Sequence, residues 1–370
     1  MNNRIKTDEA AKLLGLEPAR IRFLELHCQD FLSQSRWEIP RRYGNKDLKV
    51  LAAGNRLLEK GLPLNALKSQ LFVMLASPSV RNKDSNRLPA HELSRATLIA
   101  VTSGKGGVGK SNIALNLGVE FVRSGLRTML MDADFGVANV HLLAGLGAGP
   151  TLQDVVSGRC AMKDVVATAP DGPDIVPGSS GILELADLPA TKRQMLLEEI
   201  RTIESRYDVI LVDTAAGVAQ TVLDFVVSSD FVIVVTTAET TAITDAYALI
   251  KLSLARNPYC RIGVVANRVR SVREGESTLR RIADCTERFL GRSIVELGCV
   301  WEDTHVRTAV NERVPFLLSY PKSRASVSVR RLAGLLKDKD IVSTRYARTR
   351  KTFASKTRTV ARRLTEVSTD

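Results

Sequence analysis

Histidine and cysteine are too few and too scattered in this chain to build a metal centre. The five cysteines (Cys28, Cys160, Cys260, Cys285 and Cys299) form no C-x-x-C pair, and the four histidines are equally dispersed. An odd, scattered set of thiols suits a reducing compartment, so a cytoplasmic location is expected. No Ser/His/Asp combination stands out as a nucleophilic triad. Long apolar runs are also missing, and none approaches the roughly 20 residues of a membrane-crossing helix. The opening Met1-Asn2-Asn3-Arg4-Ile5-Lys6 lacks the apolar core of a signal peptide. At 370 residues the chain is long enough for two domains and a sizeable core. Net charge is absent from its middle. The formal +13 divides into +7 over residues 1–90, zero over 91–340 and +6 over 341–370. Both ends can therefore meet nucleic acid, anionic lipid or an acidic partner.

The strongest positive signal is Gly104-Lys105-Gly106-Gly107-Val108-Gly109-Lys110-Ser111. It meets the pattern G-x-x-x-x-G-K-[ST] in full. The apolar run Leu98-Ile99-Ala100-Val101 precedes it and a helix-like segment from Asn112 to Val122 follows. Strand, glycine loop and helix are the context of a phosphate-binding loop. Glycines let backbone N–H groups turn inward around phosphate oxygens. Lys110 is expected to reach the β- and γ-phosphates of ATP, Ser111 to hold Mg²⁺, and the helix N-terminus to add positive potential.

From Thr97 onward, strand-like runs alternate with helix-like segments. The expected strands are Leu98–Thr102, Thr128–Asp132, Asp174–Pro177, Val209–Asp213, Phe231–Thr236 and Ile262–Ala266. Such alternation predicts an α/β fold, a mostly parallel sheet flanked by helices, with ligands at the carboxyl ends of the strands. Asp132 and Asp134 close the second strand, where a carboxylate can orient an attacking water or touch the Mg²⁺ shell. Asp213 ends Val209-Ile210-Leu211-Val212, as a Walker B metal site requires. Thr214-Ala215-Ala216-Gly217 then reads as a small-residue loop able to sense the γ-phosphate. Lys105, at the start of the glycine loop, points away from its own phosphates in most loop geometries. It can instead reach those of a second subunit and stabilise the transition state in trans, as an arginine finger does.

Lys105-Gly106-Gly107-Val108-Gly109-Lys110-Ser111 resembles the deviant Walker A motif of the MinD/ParA ATPases, and the likeness extends over roughly residues 97–336. Within that family the chain is most similar to the FlhG (YlxH) branch, which controls flagellar number and placement. The supporting runs are Asp132–Asn139, Asp213–Gly217, Thr240–Tyr247, Phe289-Leu290-Gly291, and Ser319-Tyr320-Pro321 with Arg330-Arg331-Leu332-Ala333. The resemblance implies that Asn267 contacts adenine with Arg268 beside it, and that Asp132 serves water activation. It also implies an ATP-dependent homodimer with slow hydrolysis, and partners such as the FlhF GTPase or C-ring components. Three residues depart from the family pattern. Ala215 replaces a common glycine, and Ala238 and Thr241 replace prolines. The short N-terminal peptide with which many FlhG proteins stimulate FlhF is not evident.

Residues 1–76 read as a separate small module. Thr7 is a good N-cap for a helix from Glu9 to Leu14, Gly15 ends it, and a second helix runs from Leu16-Glu17-Pro18 to Cys28. Arg36–Asn45 suits a hairpin wing, and helices are expected over Asp47–Lys60 and Leu64–Leu75. Glu9–Leu16, Ile21–Glu25, Arg42-Tyr43 and Gly61-Leu62-Pro63-Leu64 resemble the winged helix-turn-helix of MerR-type regulators, although Leu24 stands where that family usually has an aromatic. If the module binds DNA, Arg20, Arg22, Arg41, Arg42 and Tyr43 are the expected contacts. A module that contacts protein instead is the alternative.

Residues 77–95 read as a polar linker and 96–338 as the nucleotide domain. Residues 339–370 form a basic tail in which Tyr346, Phe353, Val360 and Leu364 fall near one helical face. That tail is compatible with reversible binding to the inner face of the plasma membrane, with a basic segment that inserts nowhere, or with nucleic acid. Two functions of different class follow. One is an ATP-dependent dimerisation switch. The other is an ATP-controlled DNA-binding regulator, or a ParA-like positioning protein, acting through the helix-turn-helix. A protein that holds ATP without hydrolysing it is a third.

Overall fold

The computed structural model describes residues 5–28, 31–32, 42–59, 96–134, 136, 138–179, 202–258, 260–339 and 341–342, with the single positions 67, 71 and 199. The expected linker, residues 343–370 of the basic tail and Arg41 lie outside these residues.

The amino-terminal part is a two-stranded antiparallel ladder, β1 (Ile5–Lys6) with β2 (Arg42–Tyr43), and three helices, α1 (Thr7–Leu14), α2 (Pro18–Cys28) and α3 (Asn45–Glu59). Helix α1 starts one residue earlier than its sequence suggests: Lys6 is the cap position, and its N–H donates to Glu9 Oε2 at 3.1 Å. Gly15 ends α1 at φ +64°, the left-handed conformation that terminates helices. Ala10, Ala11, Ile21, Leu24, Tyr43 and Leu51 close one small core, while Cys28, Val50, Ala53, Leu67 and Leu71 close another. Leu24 is fully buried there. Arg42 and Tyr43 pair with Ile5 and Lys6, a partner the expected Arg36–Asn45 hairpin did not include.

The larger part begins at β3 (Thr97–Ser103) and α4 (Lys110–Arg123), followed by β4 (Thr128–Ala133), α5 (Val140–Leu143), α6 (Leu152–Val156), α7 (Met162–Val165), β5 (Ala167–Thr168), β6 (Asp174–Val176) and β7 (Val209–Ala216). Then come α8 (Gln220–Ser228), β8 (Phe231–Thr236), α9 (Thr240–Arg256), β9 (Ile262–Val269), α10 (Val272–Leu290), β10 (Val295–Trp301), α11 (Thr304–Glu312), α12 (Phe316–Ser319) and α13 (Arg324–Asp338). The eight strands form one sheet in the order β10-β9-β8-β3-β7-β4-β6-β5, parallel throughout except for β5 against β6.

Strand alternation divides the core between two faces. Ile99, Val101, Leu130, Leu211 and Ile233 point to the side covered by α4 and α13, with Phe121 and Val329. On the opposite side Met129, Met131, Ile210 and Val212 form one group with Leu152 and Met162, and Ala100, Val232 and Val234 another with helices α8, α9 and α10. A parallel sheet buried on both faces is the reason its strands read as continuous apolar runs. All six expected strands are present. The sequence reading missed β5 and β10. It also took Thr214–Ala216 for a loop, whereas these residues continue β7, with Ala216 in register with Ser103, and the turn comes at Gly217 (φ +94°). Ala215 thus sits in extended backbone, where the freedom of a glycine is not needed.

Candidate nucleotide site

β3 and β7 are central neighbours in the sheet, so the loop after β3 and the carboxylate near the end of β7 meet at one carboxyl edge. The loop bends through Gly107 (φ +78°) and Gly109 (φ +91°), both in the left-handed region that L side chains avoid. Gly109 caps α4, and among the described residues no side-chain cap bond covers the first amides of that helix. These N–H groups and the helix dipole make a site for phosphate oxygens. Two glycines of the loop are also required by close neighbours. A Cβ on Gly109 would collide with the Asn267 amide, and one on Gly104 with the backbone of Asp245 in α9. Gly106 has open space around it.

The two lysines of the loop have different surroundings. Lys110 is buried, and its ammonium donates to Asp213 Oδ1 at 2.5 Å, with Ser111 Oγ at 3.4 Å. Lys105 is 39% exposed and donates to Glu239 Oε2 at 2.8 Å and to Thr241 Oγ1 at 3.0 Å. Glu239 is the residue before α9, and the Lys105 ammonium holds its carboxyl below the usual range. Neither Glu239 nor Thr241 was assigned to the site by sequence reasoning. The only trace was that Thr241 stands in place of a proline.

Asp213 is fully buried, and burial pushes its carboxyl up while the Lys110 ammonium and the Ser111 hydroxyl pull it down. Its Oδ2 is buried with no hydrogen-bond partner among the described residues. A carboxylate oxygen left without a donor, beside a serine hydroxyl on the phosphate loop, is the all-oxygen donor set that Mg²⁺ favours. The residues therefore fit the cation, and Ser111 and Asp213 are the ones that would hold it. Asp132 lies on the neighbouring strand, in register with Asp213. Its Oδ1 accepts the Asp134 N–H at 3.1 Å and its Oδ2 the Val140 N–H at 3.0 Å. Burial, and then the Asp213 charge, push Asp132 up to about 7. Asp134 accepts the Gly136 N–H on Oδ1 at 3.2 Å.

Asn267, near the end of β9, donates Nδ2 to the Val108 carbonyl of the loop at 2.7 Å. Arg268 follows at φ +57°, and its Nη2 lies 3.4 Å from Glu302 Oε1, while Arg270 Nε donates to Oε2 of the same carboxylate at 2.6 Å. In the amino-terminal part, Arg22 and Arg42 are exposed. Arg20 donates to Asn55 Oδ1 at 2.8 Å and lies over the Phe23 ring. Tyr43 does not have the surface position expected of a DNA contact: it is buried, and its hydroxyl donates to Glu25 Oε2 at 3.1 Å. Packing won there because the ring fills the core between α1 and α2.

Comparison with known proteins agrees with this geometry. A family profile described as an AAA domain matches residues 96–254. The antiactivator FleN of Pseudomonas aeruginosa is 40% identical over 236 residues, covering 64% of this chain and 84% of FleN. The flagellum site-determining protein YlxH of Helicobacter pylori is 33% identical over 244 residues, covering 65% and 82%. Among solved structures, the septum site-determining protein MinD of Pyrococcus horikoshii, complexed with Mg-ADP, matches at 25% identity and a TM-score of 0.57, covering 65% of this chain and 96% of that one. No helix among the described residues is long and apolar enough to cross a membrane. The chain belongs to the MinD/ParA family of P-loop ATPases, close to FleN and YlxH.

Proposed function

We propose that this protein is an ATP-dependent dimerisation switch with slow, Mg²⁺-dependent hydrolysis, and that it regulates flagellar number or placement. The observation that carries the switch is the separation of the two loop lysines. Lys110 is sunk against Asp213, within reach of the phosphates of its own loop. Lys105 is half-exposed on Glu239 and Thr241, available to the phosphates of a facing copy. Bound Mg²⁺ would supply charge neutralisation to the phosphates, with Ser111 and Asp213 as its protein ligands. Asp132, fixed by two backbone donors, is the carboxylate suited to orient the attacking water, with Asp134 two residues on, and Asn267 and Arg268 flank the adenine side. Because Lys105 completes the site only in a pair, nucleotide and partner stabilise each other. The likeness to FleN and YlxH supports the flagellar reading, with flagellar assembly proteins such as FlhF or C-ring components as partners.

Light scattering coupled to size exclusion, run with ATP, tests the switch. Lys105→Ala should bind ATP yet stay monomeric, and Asp132→Ala should accumulate dimers. Unchanged profiles for both variants would overturn it.

A second reading has its own support. Helices α1 and α2 joined through left-handed Gly15, with exposed Arg22 and Arg42, suit a MerR-like helix-turn-helix. In this reading residues 1–76 bind duplex DNA, and ATP sets the oligomeric state. A salt-dependent shift of duplex DNA should vanish on deleting residues 1–76, and the absence of any shift at low salt rejects the reading.

A further inference from the structure

Helices α9 and α10 pack side by side on one face of the sheet. In a parallel sheet both run back from the carboxyl ends of their strands, so their last turns share the amino edge, opposite the nucleotide loop. That edge leaves Leu252 of α9 and Phe289 of α10 exposed, 39% and 65% respectively. It also presents the carbonyl of Arg256, the last residue of α9 and one of the groups a helix end leaves without an intrahelical partner. Arg22 Nη1, on α2 of the amino-terminal part, donates to this carbonyl at 2.7 Å. A guanidinium at a helix C-terminus is favoured by the macrodipole as well as by the hydrogen bond. The Arg256 side chain does not oppose it, because its own guanidinium is turned to Gln220 Oε1 at 2.7 Å and lies 3.6 Å from Asp224.

We propose that the carboxyl end of α9 is the docking site for the chain's own amino-terminal module, with Arg22 as the anchor. The connection supports this occupant. β3 begins at the same amino edge, where Leu98 and Asp230 exchange hydrogen bonds at the head of β8. Only the 24 residues 72–95 separate Leu71 of the module from Ala96. A tether this short keeps the module at high effective concentration beside its site. Docking has a functional consequence whichever ligand the module takes. Arg22 cannot give the same N–H to Arg256 and to a phosphate, and Arg20 is already committed to Asn55. The docked module is therefore a stored form, in which docking withholds that N–H of Arg22. This inference does not depend on dimerisation through Lys105, and either can fail alone.

Hydrogen–deuterium exchange of the intact, nucleotide-free chain tests it. Arg22→Ala should speed exchange of residues 253–258 about fivefold, the scale of one exposed charge-assisted hydrogen bond. Lys12→Ala, on the exposed face of α1, should leave that segment unchanged. Exchange at 253–258 that is the same in Arg22→Ala and the wild type overturns the proposal. If Arg22→Ala loosens the whole module, a second measurement decides. Amine-reactive cross-linking of the wild type should join Lys251 of α9 to a lysine among residues 6–49. The absence of any such link, when links within the module form, overturns the proposal too.

Discussion

Asn267 donates its side-chain amide to the Val108 carbonyl, tying the end of β9 to the bend of the phosphate loop across 159 residues of sequence. The same amide is what a Cβ on Gly109 would strike. The loop is thus held from outside at the point where its backbone is left-handed. Asn267→Ala removes this bond and frees the loop to sample other shapes. A net loss of about 1–1.5 kcal/mol for a buried hydrogen bond corresponds to about a tenfold weaker nucleotide affinity. Gly109→Ala combines backbone strain with a collision and should abolish binding. Calorimetric titration with ATP checks both, and an Asn267→Ala affinity within twofold of wild type would sink the loop-holding role.

Gly104 and Gly106 stand two residues apart in one motif, yet they answer to different neighbours. A Cβ on Gly104 meets the backbone of Asp245 and Ala246, whereas nothing lies within 4 Å of one on Gly106. Backbone cannot yield as a flexible side chain can, so Gly104→Ala must separate the loop from α9. The expected loss is about 1–3 kcal/mol, as for other overpacked sites. Gly106→Ala should stay within about 0.5 kcal/mol. Thermal melts of the nucleotide-free variants distinguish them, and equal melting temperatures would refute this account of Gly104.

Gly104 also marks how far the sequence could be read. The loop, Asp132, Asp213 and six strands were legible because each is a local pattern, an apolar run closed by a carboxylate or glycine. β10 was not, because Glu296 and the left-handed Gly298 interrupt its apolar residues, and its pairing with β9 shifts register twice. The acceptors of Lys105, Glu239 and Thr241, lie more than 130 positions away. No local spacing encodes such a contact. It arises because β8 lies next to β3 and delivers the start of α9 to the loop. Tyr43 and Arg20 were misleading for a related reason: a basic or aromatic residue on a small module looks the same in sequence whether it faces a ligand or, as here, Glu25 and Asn55.

Asp213 should couple the metal to both stability and turnover. Its Oδ1 neutralises buried Lys110, and its Oδ2 is left without a hydrogen-bond partner among the described residues. Asp213→Ala strands the ammonium in the interior, which costs about 3–5 kcal/mol when a buried pair loses one partner. Asp213→Asn keeps the shape and should cost less, while lowering Mg²⁺-dependent ATP hydrolysis by about a hundredfold. Chelating Mg²⁺ should stop hydrolysis by the wild type. Denaturant melts in the absence of Mg²⁺, together with phosphate-release assays, separate the two effects. Full Mg²⁺-dependent activity in Asp213→Asn would remove Asp213 from the metal site.

The pairing of Asp132 and Asp213 in adjacent strands predicts an unusual pH dependence. Burial is the first cause of the rise in both carboxyls, and the Asp213 charge adds to it at Asp132, which reaches about 7. Between the unfolded value near 4 and the folded value near 7, the folded chain binds more protons than the unfolded one. Stability then falls as pH rises through that window, the reverse of a salt-bridged carboxylate, and is flat above it. Nucleotide-free protein without divalent cation should melt several degrees lower at pH 7.5 than at pH 5.5. Asp132→Asn removes the titrating group and one source of repulsion on Asp213, so its melting temperature should change less across the same range. A wild-type melting temperature that rises from pH 5.5 to 7.5, with the same profile in Asp132→Asn, would show that the two carboxylates are compensated by other groups.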